Sequence, residues 1–289
     1  MDRKLIINIA PVGNLIVREQ NPHIPYSPEE IAKEVIECYR EGASIFHIHT
    51  RDERGFPDEN PQTKKKVMDL IFDECPDMIS SLHVIHDRTL DGLDQFKPLI
   101  DALHGFGQKY IRLAVTVLDS YTIGPGTVSV SIETASDLVR YLEGLGIKPE
   151  FQPFQPGTIQ HLKDHILDKG VAKLKPYFIN INMGKHHSPT VNLDPWSYFD
   201  LISAFNQLPR DSVKGLSVGG RNWLPITVLA IMLGIDVVRI GMEDTLWMYP
   251  HKDEIIERNV DVVRKIVSIA EELGREIATP KAARKILGI

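Results

Sequence analysis

Cysteine is scarce: Cys38 and Cys75 are the only two in 289 residues. A disulfide-stapled module packs more of them into a shorter chain, so the composition excludes that class and points to a reducing cytoplasm. Long hydrophobic runs are missing too. The opening apolar run, Leu5–Val12, is too short to span a bilayer. Met1-Asp2-Arg3-Lys4 leads straight into it, with no secretory cleavage pattern. That run reads as a first strand, and no membrane partner is expected. Positive charge is in deficit, 33 Lys+Arg against 39 Asp+Glu for a net −6. Nucleic-acid binding wants a basic face, so no nucleic-acid partner is expected. Nor does a Gly-x-Gly-x-x-Gly fingerprint follow the first strand; Pro11-Val12-Gly13-Asn14-Leu15 stands there.

What is present is ordinary in amount and regular in arrangement. Hydrophobic residues make up 43% and charged residues 25%, as in globular proteins generally. Apolar runs alternate with amphipathic stretches of helical length. The runs are Leu5–Val12, Ser44–His49, Met78–Val84, Tyr110–Val117, Pro149–Phe154, Tyr177–Ile181, Val213–Val218 and Val237–Gly241. Helices are expected to begin near Ser27, Asn60, Leu90, Ile132, Gly157, Asp194, Asn222 and Asp253. Ser27-Pro28-Glu29-Glu30 has the capping-box pattern, and Asp194-Pro195 repeats it with an aspartate. Strict βα alternation implies a parallel sheet, and strands apolar throughout imply helices on its faces. Eight units in a chain near the usual barrel length of about 250 residues predict one α/β domain over 1–289, a (β/α)8 TIM barrel. An open doubly wound sheet is the alternative. The stretch Leu118–Val130, rich in Ser, Thr and Gly, reads as a loop and candidate lid.

The chemistry gathers at strand ends. In Phe46-His47-Ile48-His49-Thr50 the two imidazoles lie two apart and face one way, as metal ligands must. Two hydrogen-bonded core histidines would give the same pattern. The eighth run ends Arg239-Ile240-Gly241-Met242-Glu243-Asp244. In a closed barrel the first strand sits between the second and eighth, so Glu243 can reach His47 and His49 across the mouth. Two histidines and a carboxylate leave a ligand position open, as catalytic zinc sites do. Asp244 beside Arg239 reads as an acid/base carboxylate oriented by a guanidinium, or as a salt bridge of the rim. Gly219-Gly220-Arg221 at a helix start reads as a candidate anion or CoA site, or simply as a tight turn. His83 lies at a strand end and Arg88 shortly after it; with Thr116 and Gln152 they are candidate substrate contacts. Trp223, Trp247 and Tyr249 are candidates for joining subunits.

With these residues in view, the chain resembles the β-keto acid cleavage enzymes, the family of 3-keto-5-aminohexanoate cleavage enzyme. The resemblance runs nearly end to end: Ala10-Pro11-Val12-Gly13, Arg18–Glu30, Gly42–Asp52, Val238–Asp244 and the tail Ala278–Gly288. It implies a zinc-dependent barrel, usually a homotetramer, that converts a β-keto acid and acetyl-CoA into acetoacetate and a new acyl-CoA. It also implies His47, His49 and Glu243 as zinc ligands, Asp244 as acid/base and Arg239 as its partner.

Departures from the family pattern bear on substrate. Leu82-His83-Val84-Ile85 stands where the family has a Ser-Thr-Gly-Gly type segment. Gln152 and Gln155 replace carboxylates of a Pro-Glu-x-Glu-x-Phe-Asp type pattern, and Leu15 stands where the aminohexanoate enzyme carries a glutamate. A buried substrate amine loses its partners, so a neutral or anionic β-keto acid is expected instead. Two rival readings remain at this point, an amidohydrolase-type metal hydrolase and a non-catalytic metal-binding family member.

Overall fold

The structure is a computed structural model that describes residues 4–84, 89–123, 126–184 and 196–289. In chain order its elements are β1 (Ile6–Ile9), α1 (Pro28–Arg40), β2 (Ala43–Ile48), α2 (Pro61–Glu74), β3 (Ile79–Leu82), α3 (Lys97–Phe106), β4 (Leu113–Val117), β5 (Asp119–Ile123), β6 (Gly126–Val130), α4 (Ile132–Gly144), β7 (Lys148–Gln152), α5 (Pro156–Leu162), β8 (Tyr177–Met183), α6 (Trp196–Gln207), β9 (Ser212–Val218), α7 (Trp223–Leu233), β10 (Val237–Ile240), α8 (Asn259–Glu272) and α9 (Pro280–Leu287). Eight strands close a barrel in the order β1-β10-β9-β8-β7-β4-β3-β2. Every barrel pairing is parallel. The open-sheet alternative is thereby removed, and β1 does lie between β2 and β10.

Alternation along each strand sorts the side chains into an outer and an inner set. The outer set, such as Ile7, Ile9, Phe46, Ile48, Phe151 and Ile179, packs under the helices. The inner set changes character along the barrel axis. At the N-terminal end it is apolar: Ile6, Ile45, Ile79, Leu113, Phe178, Val213 and Val237 form one cluster with Ala278, Ala283 and Leu287. α9 is thus a floor that closes this end, a role for the tail that periodicity alone does not reveal. Two residues further along the barrel the inner row is largely polar, with Asn8, His47, Ser81, Glu150, Asn180 and Arg239 all buried, interrupted by Val115 and Gly215. The polar row thus lies toward the C-terminal end, where barrels generally carry their chemistry.

The helix starts are largely as read. Ser27 Oγ accepts from the Glu30 N–H, and the Glu30 carboxylate accepts from the Ser27 N–H at 2.9 Å, which completes the capping box. Two starts move. α3 begins at Lys97 rather than near Leu90, because a short 3-10 turn, Gly92–Gln95, precedes it. α8 begins at Asn259 rather than near Asp253, because an antiparallel bridge between Trp247 and Ile255 closes the intervening chain into a turn. The stretch expected to be a loop at Leu118–Val130 is an antiparallel hairpin of β5 and β6. Its β-branched and aromatic residues, among them Tyr121, Thr122, Ile123, Thr127, Val128 and Val130, favour strands over coil. The Asp194 cap lies outside the described residues.

One inward side chain contradicts the apolar floor. Lys148, on β7, is 1% exposed and donates from Nζ to the Leu174 carbonyl at 3.2 Å. Burial pushes its amine down from the ordinary 10.5 to about 8, and Glu143 offsets this only in part. The folded value lies below the unfolded one, so the unfolded chain holds more protons between these values and stability rises with pH across that window. Below pH 8 the charged amine is carried at a cost. Lys148→Met is therefore expected to raise the unfolding midpoint at pH 7 and to flatten its rise between pH 8 and 10. A midpoint lowered at pH 7 would contradict this account of the floor.

Candidate active site

β2 points His47 and His49 into the barrel mouth, 2% and 6% exposed. Across β1, the chain leaving β10 brings Glu243 to meet them. Two glycines make that approach possible. A Cβ on Gly13 would overlap Glu243 Cγ. Gly241 has φ +140° and passes the Ala10 carbonyl so closely that a Cβ would collide with it. The Glu243 N–H then donates to Ala10 O at 3.1 Å, and the Asp244 N–H donates to Gly241 O at 3.1 Å. Arg51 reinforces the rim by donating to the carbonyls of Gly13, Ile16 and Gly55.

The three side chains present a cluster of ligand atoms. His47 Nε2 and His49 Nε2 are 3.4 Å apart, and each lies 3.6 Å from a Glu243 oxygen. Ligands about 2.1 Å from one tetrahedral ion sit about 3.4 Å from each other, so these separations suit a shared cation. Glu243 Oε2 is buried without a hydrogen-bond partner among the described residues, which also fits an ion-binding role. Burial pushes the His47 imidazole well below its usual range, with Glu243 only partly offsetting it, so its lone pair is available. Burial acts on His49 the same way, but Glu243 and Glu59 outweigh it and raise its pKa. Burial raises the Glu243 carboxyl, yet Arg239 and the two imidazoles reverse this and hold it well below the ordinary carboxylate range.

Arg239 ties the cluster to Asp244. Its Nε donates to Asp244 Oδ2 at 3.0 Å, and its Nη2 donates to Asp244 Oδ1 and Glu243 Oε1, each at 2.7 Å. Ser217 Oγ donates to Asp244 Oδ2 at 3.2 Å. Asp244 is fully buried. One guanidinium therefore fixes the relative positions of two carboxylates, a geometry lysine could not reproduce.

Below and beside these lies a wall of amides. Asn182 Nδ2 donates to Gln152 Oε1 at 2.8 Å, and Gln152 Nε2 donates to Glu150 Oε1 at 2.9 Å. Asn180 Nδ2 and Ser81 Oγ also donate to Glu150. The Asn8 amide is fully buried, and neither of its polar atoms has a hydrogen-bond partner among the described residues.

Other expected contacts fare differently. His83 is brought to the mouth, its ring 5.4 Å from that of His49. Thr116 is not: it pairs in register with outward-facing Phe151, and its hydroxyl donates back to Ala114 O at 3.3 Å. The β4 residues in register with Glu150 and Gln152 are Val115 and Val117. The Gly219-Gly220-Arg221 anion cradle does not form as read. The Gly219 N–H donates to Met183 O at 2.9 Å and the Gly220 N–H to Asp244 O at 3.3 Å. Arg221 is ion-paired with Asp253 and lies over the Trp247 ring. Trp223 is core rather than surface, with Nε1 donating to Trp247 O at 2.7 Å. Arg88 lies outside the described residues. Sequence reading missed Asn8, whose one signal was a polar residue interrupting an apolar strand on the face shared with Ile6. It also missed Glu59, in the loop between β2 and α2, where barrel sites are built.

Comparison with known proteins agrees with this architecture. Residues 4–289 match the model of the beta-keto acid cleavage enzyme family. The 3-keto-5-aminohexanoate cleavage enzyme of Acetoanaerobium sticklandii is 30% identical, over 99% of this chain and 98% of its own length. The 3,5-dioxohexanoate:acetyl-CoA acetone transferase of Paraburkholderia graminis is 27% identical, over 99% and 96% respectively. Among solved structures, a ternary complex of ObcA with a C4-CoA adduct and oxalate aligns with a TM-score of 0.74. That alignment is 17% identical and covers 93% of this chain and 68% of the other, a likeness of fold. Among the described residues no helix is long and apolar enough to cross a membrane. From its first described strand to its closing helix, the chain belongs to the beta-keto acid cleavage enzyme family.

Proposed function

We propose that this chain is a zinc-dependent enzyme of the cytoplasm that converts a neutral or anionic β-keto acid and acetyl-CoA into acetoacetate and a new acyl-CoA. The observation that carries the reading is the convergence of His47, His49 and Glu243 beside a buried Arg239–Asp244 pair. His47, His49 and Glu243 would hold the ion. When bound, it supplies Lewis-acid polarisation of the substrate's keto oxygen. Asp244 takes a proton from the carbon between the keto and carboxyl groups of the substrate. Arg239 holds Asp244 in place for that transfer. The resulting carbanion forms a C–C bond to the acetyl carbonyl and expels the CoA thiolate. The thiolate then attacks the original keto carbon, the old C–C bond breaks, and acetoacetate and the new thioester leave. The proton held by Asp244 returns to the acetoacetate carbanion, which balances the cycle.

The amide wall supports the substrate class. The buried carboxylate of Glu150 already accepts from the neutral donors Ser81, Gln152 and Asn180, which leaves it little capacity for a substrate ammonium. Asn8 offers an amide able to donate or accept, and His83 stands at the mouth as a further contact. The test is turnover with acetyl-CoA and a panel of amine-bearing, neutral and dicarboxylic β-keto acids, following acetoacetate and the new thioester. Best turnover on the amine-bearing acid would overturn the substrate class. No turnover on any member by metal-loaded protein would favour a binding role instead.

A homo-oligomer, a tetramer by family resemblance, completes the reading. α7 is apolar on both faces: Trp223, Ile226 and Ile231 are buried in the core, Leu224, Val228 and Leu229 are partly buried, and Met232 is exposed. A helix apolar all round is a buried helix, and an uncharged apolar face suits its own copy across a twofold axis. Light scattering on the purified protein is expected to give a multiple of the chain mass. A monomer would remove this part of the proposal.

A further inference from the structure

His49 turns one ring nitrogen toward His47 and Glu243, and the other toward a second acidic group. Its Nδ1 lies 3.9 Å from Glu59 Oε1. Glu59 Oε2 in turn lies 3.0 Å from Nζ of Lys64, which is 0% exposed. A lysine fully buried in α2 is out of place by composition, since such a side chain is almost never enclosed unless paired. The segment carrying Glu59 is built rigidly. The Asp58 N–H donates to Thr50 O at 2.8 Å, and the Asp58 carboxylate accepts from the Asn60 N–H at 2.9 Å and from Thr63 Oγ1 at 2.7 Å. Asn60 then caps α2, accepting from the Gln62 N–H at 2.9 Å.

His49, Glu59 and His83 also stand close enough to be considered as a second cation site. The Lys64 ammonium argues against it. It already supplies the positive charge that Glu59 faces, and a dication there would meet a like charge on a fully buried ammonium at close range. The same ammonium makes sense if Glu59 has one task, to face His49. A ligating imidazole commonly turns its other N–H to a carboxylate, which fixes its tautomer and ring angle.

We propose that Glu59, anchored by the buried Lys64, is a positioning residue that holds His49 with its Nδ1–H toward Glu59 and its Nε2 lone pair toward His47 and Glu243. The inference rests on the cation site proposed above and adds a determinant of its affinity that lies outside the ligand set.

The test uses Co2+ as the probe, on metal-stripped full-length protein, with affinity read by chelator competition and the site by its visible absorption. Glu59→Ala is expected to weaken Co2+ binding about 10- to 100-fold and to alter the visible spectrum. Glu59→Gln, whose amide oxygen can still face Nδ1–H, is expected to recover part of that loss. Lys64→Met is expected to weaken binding in the same direction, but less. Thermal unfolding is followed in parallel, because a merely structural role would lower the midpoint and leave the affinity of the folded protein unchanged. Unchanged affinity in both Glu59 variants, while His47→Ala abolishes binding, overturns this inference alone. Equal, weak binding by the unaltered chain and His47→Ala overturns the cation site and this inference together.

Discussion

Asp244→Asn is expected to lower kcat by about 10²- to 10⁴-fold, the span that a positioned general acid or base usually contributes. At about 1.4 kcal/mol per tenfold, that is about 3–5.5 kcal/mol of transition-state stabilisation. The variant keeps the volume of the side chain and the oxygen that accepts from Arg239. It removes the second carboxylate oxygen, which now accepts from Arg239 Nε and Ser217 Oγ. Metal content should therefore stay near that of the unaltered chain, because Asp244 is not in the ligand cluster. Isotope exchange at the substrate carbon, measured without acetyl-CoA, isolates the proton step and should fall in parallel with kcat. Full exchange with lost turnover would assign Asp244 to a later step and sink its role as the base.

Loss of the ion should cost at least as much. His47→Ala removes one of three ligands and opens a cavity beside a buried carboxylate. The purified variant is expected to carry little metal and to lose turnover by about 10³-fold or more, as befits a Lewis acid contributing several kcal/mol. Stripping the unaltered chain with a chelator should have the same effect, and re-addition of Zn2+ should restore turnover to the stripped chain but not to His47→Ala. Chelator-resistant activity with no metal detected would refute the zinc reading. A large fall in the unfolding midpoint of the stripped protein is also expected, because Glu243 would be left buried with an unpartnered oxygen.

The parts of this site written in local pattern could be read from the sequence. Period-two alternation put His47 and His49 on one face, and closure of eight strands put Glu243 beside them. Both statements need only the side-chain geometry of a strand and the order of a barrel. The errors have other origins. Thr116 was named as a candidate substrate contact, but its own parity turns it toward the helices. Gly219 and Gly220 looked like free backbone donors, yet distant carbonyls at Met183 and Asp244 take their N–H groups. Lys64 sits on an amphipathic helix where a lysine reads as solvated. Its burial depends on Glu59, whose position is set by Asp58 and Thr50. The glycine and lysine misses are tertiary contacts that one-dimensional periodicity does not encode, whereas the Thr116 miss was a parity that the strand itself carries.

The closing helix has a consequence for the order of events. With Ala283 and Leu287 sealed into the barrel base beside Ile6 and Phe178, both reactants must enter and leave through the same opening. The smaller acid has to reach the imidazoles at the bottom of that entrance, whereas CoA is too large to pass beyond it. The acid is thus expected to arrive first and the thioester to cork it in. Dead-end inhibition by a non-reactive keto acid should accordingly be competitive with the acid and noncompetitive with acetyl-CoA.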